Sequence, residues 1–384
     1  MGSCFSPNKN KNKLRKELES QVSSNLQNVS SINSYVEISN NKDYIYSILH
    51  CLSYTKVLTK FFLNKYNYYN NYNNQTSNEY YNLLINLWKE KNISNPYSPH
   101  DLKSFINSGK FSLSNNNQIN DGKSFLNYLL DNIHDELNIT NNNNGNIIQN
   151  KHTFMQLNKQ LTLQNFFNNF KNNYNSIISN LFYGTYEIIF DCAQCEKTNY
   201  KYEIFKFLEF SLNEIDSFFG IKPTPIIVRG LRFPTNIKKI DLNKCFEYRD
   251  KDKAVTTKAL KCIYCHNEQY FHFSSKIFSM PNYLILILTN EKQDLYNVNY
   301  PEILDLSNYT AHKEIASKFN LYAVIGKNVN NGKSCNEEEF TFCRNLTNDY
   351  KWHKYGNNGV EQCKNKEYLE VMPSFLFYEV VKSK

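Results

Sequence analysis

Apolar residues show no sustained period over the first 33 positions, which are rich in Ser, Asn and Lys; this stretch reads as a flexible arm with one short helical pattern over Leu14 to Leu26. From Tyr44 the apolar positions fall three and four apart: Ile45, Ile48, Leu49 and Leu52, then Val57, Leu58, Phe61 and Phe62. That spacing predicts helix. The Asn/Tyr-rich stretch from Lys65 to Asn78 breaks the pattern and reads as an insertion loop. A second helix is predicted through Tyr81, Leu84, Ile85 and Leu87. A third spans Ser124 to Leu137, where Phe125, Leu126, Leu129, Leu130, Ile133 and Leu137 share one face. Thr140 to Lys151 is a low-complexity Asn loop, and a further helix is expected over Leu161 to Leu181.

From Tyr186 to Asp191 the alternation becomes that of a strand. Strands are then predicted at Ile204 to Leu212, Ile226 to Phe233, Glu268 to Phe278, Leu284 to Leu288, Asn320 to Ile325, Glu339 to Arg344 and Phe375 to Val381. Helices first and strands afterwards predict an α+β fold with a helical lobe and a sheet lobe.

A hydrophobic content of 41% with 15% aromatics supplies a sizeable core and excludes global disorder. No apolar run approaches the roughly 18 residues of a membrane span, and no apolar h-region follows Met1. The expected location is cytoplasmic. The formal charge of +8 is spread along the chain except for a cluster at the start, and no recognition motif accompanies it, so nucleic acid is not an expected partner. Asparagine fills about one position in six; with Lys, Tyr, Ile and Phe it shares A+T-rich codons, so this bias reflects genome composition and carries no function.

Ten cysteines without a signal peptide point to a reducing compartment, where metal binding outranks disulfides. Cys192 and Cys195 form one CxxC pair, and Cys262 and Cys265 another. Two such knuckles complete a tetrahedral site for zinc, and four thiolates leave no open position, which makes the ion structural. His266, next to Cys265, is read as a bystander.

Several segments, in order, resemble the ubiquitin-specific proteases, papain-like cysteine proteases that remove ubiquitin. Tyr44 to Leu52 (YIYSILHCL) is similar to the helix behind that family's catalytic cysteine, CYMNSILQCL. Ile119 to Leu130 (INDGKSFLNYLL) resembles QQDAHEFLNYLL. Phe182-Tyr183-Gly184 before the first CxxC, then Phe207 to Leu212, resembles the entry to the fingers. Leu260 to Cys265 and then Lys276 to Leu288 resemble the second knuckle and the strand that ends in LKRF, although Thr289-Asn290 departs from that ending. Leu321 to Val324 resembles the strand into the histidine box, and Phe375 to Tyr378 the closing strand. The resemblance implies a thumb, a palm and zinc-tipped fingers over residues 34–384, with the fingers at about 183–280 and residues 1–33 outside. It also implies ubiquitin or a ubiquitinated protein as partner, and Asp121 as a ubiquitin-binding residue.

The resemblance also locates the chemistry, and there the sequence departs from it. The nucleophile position holds Asp43, the general-base position Glu338 and the orienting position Gly356. The oxyanion-hole asparagine falls on Ile38. No cysteine lies between Cys4 and Cys51, and no histidine between His312 and His353, so neither absence depends on fine register. Cys51 matches an ordinary core cysteine of the family. A thiolate, a base and an orienting group are all required for this acyl chemistry. The expected function is therefore a pseudo-deubiquitinase that binds without cutting. The alternatives are an active ubiquitin carboxyl-terminal hydrolase with an unrecognised constellation, and a membrane-tethered, zinc-stabilised scaffold. The tether would be the arm: Gly2 fits the myristoylation pattern M-G-x-x-x-[ST], Cys4 beside it is a palmitoylation candidate, and Lys9, Lys11, Lys13, Arg15 and Lys16 follow, although Pro7 is disfavoured in that pattern.

Overall fold

A computed structural model describes residues 43–66, 74–88, 121–140, 159–228, 231–233, 236–251, 254–255, 260–262, 264–292, 294–312, 317–328, 339–344, 351–356 and 359–381. Gly2, Cys4, Ile38 and Glu338, the predicted helix at Leu14 to Leu26 and most of the Asn loop after Thr140 lie outside these residues.

The first apolar stripe folds as two helices, α1 (Asp43–Ser53) and α2 (Lys56–Lys65). The chain breaks between them at Tyr54-Thr55, where the Thr59 hydroxyl and the Ser53 carbonyl bond at 2.5 Å. Helix α3 (Gln75–Trp88) begins inside the stretch predicted as loop, because the Glu136 carboxylate accepts from the free N–H groups of Thr76 and Ser77 at 2.8 and 2.7 Å. Helix α4 (Gly122–Glu136) follows its predicted face closely. The single helix predicted over Leu161 to Leu181 is two, α5 (Lys159–Asn173) and α6 (Ile177–Phe182). Ser176 separates them: its hydroxyl and that of Ser179 form a reciprocal capping box that starts α6 afresh.

Downstream come β1 (Gly184–Asp191), β2 (Thr198–Phe205), β3 (Leu208–Ser211), β4 (Ile226–Val228), β5 (Leu231–Phe233), β6 (Lys238–Asp241), β7 (Ala254–Val255), β8 (Leu260–Lys261), β9 (Glu268–Gln269) and β10 (His272–Ser279). Then follow β11 (Tyr283–Thr289), β12 (Tyr296–Asn299), β13 (Ile303–Asp305), β14 (Lys318–Asn328), β15 (Glu339–Arg344), β16 (Trp352–Gly356), β17 (Gly359–Gln362) and β18 (Val371–Val380). Two helices interrupt the strands, α7 (Leu212–Phe219) and α8 (Leu242–Lys251), so helices and strands are not fully segregated along the chain. Ser211 ends β3 and caps α7, which is why the strand predicted to reach Leu212 stops short.

The largest sheet is ordered β17-β16-β15-β14-β18-β11-β3, with β13 paired to β14. Strand β11 (YLILILT), which lies between β18 and β3, is apolar at nearly every position because both faces are covered. One face carries α1, α2, α3, α4 and α6, whose buried residues merge with Tyr283, Ile285, Ile287 and Phe377 in one core. The other face carries α7 and α8 over Leu284, Leu286, Leu376 and Tyr378 in a second core. A four-stranded sheet, β2-β1-β10-β7, projects from the large one as the fingers, and the knuckles lie at its far end. The fold is α+β with helical thumb, sheet palm and cysteine-tipped fingers, as the resemblance implies.

Candidate functional site

At the finger tip the sulfurs of Cys192, Cys195, Cys262 and Cys265 all lie within 4.8 Å of one another. Cys192 and Cys265 are 3.8 Å apart, and Cys195 and Cys262 3.7 Å. Four sulfurs at about 2.3 Å from a common zinc ion would be about 3.8 Å apart along a tetrahedral edge. The two knuckles are built alike. The N–H of Glu196 donates to the Cys192 carbonyl at 2.9 Å, and that of His266 donates to the Cys262 carbonyl at 3.0 Å. Cys192 and Cys262 donate in turn to the carbonyls of Lys197 and Asn267. Glu196 and His266 both take left-handed backbone, φ 57° and 61°, where a side chain is disfavoured. His266 is exposed and stands outside the sulfur cluster.

The charges fit a cation. Burial pushes the Cys192 thiol up, but the backbone N–H groups of Cys195 and Gln194 outweigh it and bring it down to about 6. Cys195 goes the opposite way, to about 12: the Lys197 N–H lowers it, but burial and the neighbouring sulfurs win. Thiolates so close together repel one another, and a divalent ion bound by all four would offset that repulsion. Sequence spacing located these cysteines but missed their supports. The Gln269 amide donates to Cys192 Sγ at 2.7 Å, the Tyr264 N–H donates to Cys262 Sγ at 3.4 Å, and the side chains of Asn267 and Gln194 tie one knuckle to the other. These are ordinary polar residues with no spacing rule of their own.

In the thumb–palm region, Asp43 is the first residue of α1, which packs on β15, β14 and α4. Glu338 immediately precedes β15. Gly356 ends β16, and because Thr341 pairs with Tyr355, the start of β15 and the end of β16 share one end of the ladder. There Gly356 pairs with Gly359 as the chain turns back into β17. Asp121 is exposed and caps α4, its Oδ1 accepting from the Ser124 N–H at 2.7 Å. Its charge also reaches α1: burial and then Asp121 hold the Tyr44 phenol above its ordinary value.

The other cysteines and histidines near this region are buried or half-buried. Cys51 and Cys343 are fully buried, and burial together with Cys51 drives the Cys343 thiol up. Cys343 stands opposite His353 across β15 and β16, but a buried thiol held protonated is no nucleophile. His50 packs its ring 4.0 Å from that of Tyr355 and 5.5 Å from that of Tyr54, whose hydroxyls bond to each other. Its Nε2 is buried without a partner, although the residue as a whole keeps some exposure, and burial pushes the imidazole down to about 3. Cys363 is raised to about 12 by burial and then by Glu367. Among the described residues, no cysteine outside the four-sulfur cluster is exposed.

A family model described as ubiquitin carboxyl-terminal hydrolase matches residues 37–378. No curated protein matches the chain. Among solved structures, the fold is similar to a SAGA DUB module of Ubp8, Sgf11, Sus1 and Sgf73 bound to monoubiquitin, with 14% identity, a TM-score of 0.61, and coverage of 97% of this chain and 75% of the other. It is also similar to the yeast SAGA DUBm, with 15% identity, a TM-score of 0.58, and coverage of 93% and 69%. A third match, the module bound to ubiquitin aldehyde, has 16% identity, a TM-score of 0.57, and coverage of 93% and 70%.

Proposed function

The chain belongs to the ubiquitin carboxyl-terminal hydrolase family, and from that premise we propose that it is a pseudo-deubiquitinase, holding ubiquitin or a ubiquitin-pathway partner without cutting it. The reading rests on the residues that the resemblance puts at the reaction positions: Asp43, the first residue of α1, Gly356, the last of β16, and, from the sequence, Glu338. Loss of the nucleophile or the base from a triad costs on the order of 10⁶ in turnover. Ile38 offers no side-chain N–H to an oxyanion, and Gly356 offers nothing to orient an imidazole. The nearest cysteines, Cys51 and Cys343, are buried and do not replace the missing thiolate. A carboxylate attacking an amide would still need a proton donor for the departing amine.

What this architecture retains is binding. The described helices and the large sheet keep the family's fold, and the fingers keep their cysteine tip, which in this reading holds one structural zinc ion through Cys192, Cys195, Cys262 and Cys265. Asp121, exposed at the start of α4, is the residue this reading assigns to contact with the partner. We take residues 34–384 as the folded unit and residues 1–33 as an arm, with Gly2 and Cys4 as its acylation candidates. Among the described residues no helix is long and apolar enough to cross a membrane. Calorimetric titration with monoubiquitin, paired with a turnover assay on a fluorogenic ubiquitin conjugate, tests the reading: binding without turnover supports it, and cleavage overturns it.

A further inference from the structure

Each knuckle is the turn of an antiparallel hairpin, and the two hairpins are unequal. Residues 192–197 join β1 to β2, and Asp191 pairs with Thr198 at the end of a ladder of eight residue pairs. Residues 262–267 join β8 to β9, where Lys261 pairs with Glu268 in a ladder of only two. The long hairpin is built into the finger sheet. Among the described residues the short one pairs with no other strand. The tip itself ties the short hairpin to the long one: the side chains of Asn267 and Gln194 bond to each other, the Gln269 amide donates to Cys192 Sγ at 2.7 Å, and the four sulfurs gather between them.

The sulfurs meet across the two hairpins. Cys192 faces Cys265 at 3.8 Å, and Cys195 faces Cys262 at 3.7 Å. Cys192 and Cys262 are buried, whereas Cys195 and Cys265 are half-buried. Each of these pairs therefore joins a sulfur that solvent can reach to one that it cannot. A thiol that an oxidant can reach, with a second thiol in contact behind it, is the arrangement that ends in a disulfide and not in higher oxides of sulfur. Links across the hairpins would join residues 73 and 67 apart in the chain. Such links restrict the open tip far more than a link within one CxxC pair, because they close longer loops.

We propose that the finger tip is a site of oxidative modification by hydrogen peroxide: without a metal ion, its four cysteines form two disulfides across the hairpins, Cys192 with Cys265 and Cys195 with Cys262, and these keep the tip closed in place of the ion. The inference rests on the reading of the cluster as a zinc site. In each pair the half-buried thiolate, Cys265 or Cys195, attacks one peroxide oxygen; the O–O bond breaks, hydroxide leaves, and the sulfur becomes a sulfenic acid. The buried partner, Cys192 or Cys262, then attacks that sulfur as its thiolate, and a second hydroxide leaves as the S–S bond forms. Two thiols and one peroxide give one disulfide and two waters; the sulfurs are oxidised and the peroxide is reduced.

The test uses the full chain in three states: reduced and zinc-loaded, reduced and stripped by a chelator, and stripped then treated with hydrogen peroxide. Mass spectrometry of unreduced peptides should find Cys192 joined to Cys265 and Cys195 to Cys262 in the third state. Hydrogen exchange at the Glu196 and His266 amides should be about two orders of magnitude faster in the stripped, reduced chain than in the zinc-loaded one, and oxidation should return it to the slow rate. Zinc uptake should be lost on oxidation and restored by a dithiol reductant. Links within the CxxC pairs, sulfinic or sulfonic acids in place of disulfides, or exchange in the oxidised chain as fast as in the stripped one would overturn the inference; if the reduced chain still takes up zinc, the zinc reading stands. A chain that takes up no zinc and forms neither link overturns both.

Discussion

Removing both buried knuckle cysteines, Cys192→Ala with Cys262→Ala, takes one ligand from each half of the tip and should abolish metal binding. The consequence for the fold follows from the two left-handed residues. Glu196 and His266 sit at φ 57° and 61°, and each costs roughly 1–2 kcal/mol in that conformation. Structural zinc in small modules contributes about 10–16 kcal/mol, ample to hold both turns. Without the ion, roughly 2–4 kcal/mol of backbone strain favours opening, a factor of about 30 to about 10³ in the open population. Little else resists, since the knuckles are closed only by the two-residue pairing of β8 with β9 and a few side-chain bonds. The N–H groups of Glu196 and His266, bonded to the carbonyls of Cys192 and Cys262, report this directly. Metal analysis should find about one zinc per wild-type chain and none in the double variant. Amide exchange at Glu196 and His266 should accelerate by about two orders of magnitude, while strand β18 in the palm keeps its protection. Unchanged zinc content in the double variant would refute the site. Unchanged protection at the two turns after zinc loss would refute the strain argument.

Other outcomes follow from the packing and the charges. A Cβ at Gly122 would stand 2.9 Å from Phe375 Cζ and 3.1 Å from Ile48 Cδ1, so Gly122→Ala should cost about 1–3 kcal/mol in urea unfolding; an unchanged midpoint would show that the rings give way. His50 and His134 are pushed by burial from 6.5 down to about 3 and about 4. The unfolded chain therefore takes up two protons that the folded chain refuses. Their contribution is complete above pH 6.5 and is lost as the pH falls toward about 4 for His134 and about 3 for His50, by up to about 1.4 kcal/mol per pH unit for each histidine. His134→Gln should flatten that slope, and equal urea midpoints for the wild type at pH 7 and pH 5 would contradict it. Asp43→Cys with Glu338→His should leave ubiquitin cleavage feeble, and adding Ile38→Asn and Gly356→Asp should raise it by orders of magnitude, since one oxyanion donor is worth about 10² to 10³ and orientation of the base about 10⁴. Full rates from the first pair alone would mean that the supporting residues lie elsewhere.

Periodicity was a good guide where one face of an element does all the burying. Helix α4 is such a case, its apolar positions matching its buried ones, and β15 runs over the predicted Glu339 to Arg344. The misses have local polar causes. Ser176 splits a continuous apolar stripe into α5 and α6 through a capping box, and Glu136, 60 positions away in the chain, starts α3 inside an Asn/Tyr-rich run. Helix α8 (LNKCFEYRDK) is too polar for its stripe to stand out, since Leu242, Cys245 and Phe246 are its only buried residues. The clustering of four cysteines was legible because two CxxC pairs are improbable and chemically specific. Gln269, which supports Cys192, was not, because a lone glutamine carries no spacing signal. The face of the fingers under α5 was illegible for another reason: Glu187, Tyr202 and Phe278 meet only through strand register, and Lys159 reaches them only through a tertiary contact.

The decisive property of this chain is whether its fold binds ubiquitin and leaves it whole. The most direct measurement incubates the full chain with a ubiquitin probe bearing a cysteine-reactive vinyl group at its C-terminus, alongside a fluorogenic ubiquitin conjugate, after calorimetry has established binding. The account predicts a saturable ubiquitin complex, no covalent adduct and no fluorescence above background. A covalent adduct on any cysteine, or turnover that disappears in Asp43→Ala, would contradict it.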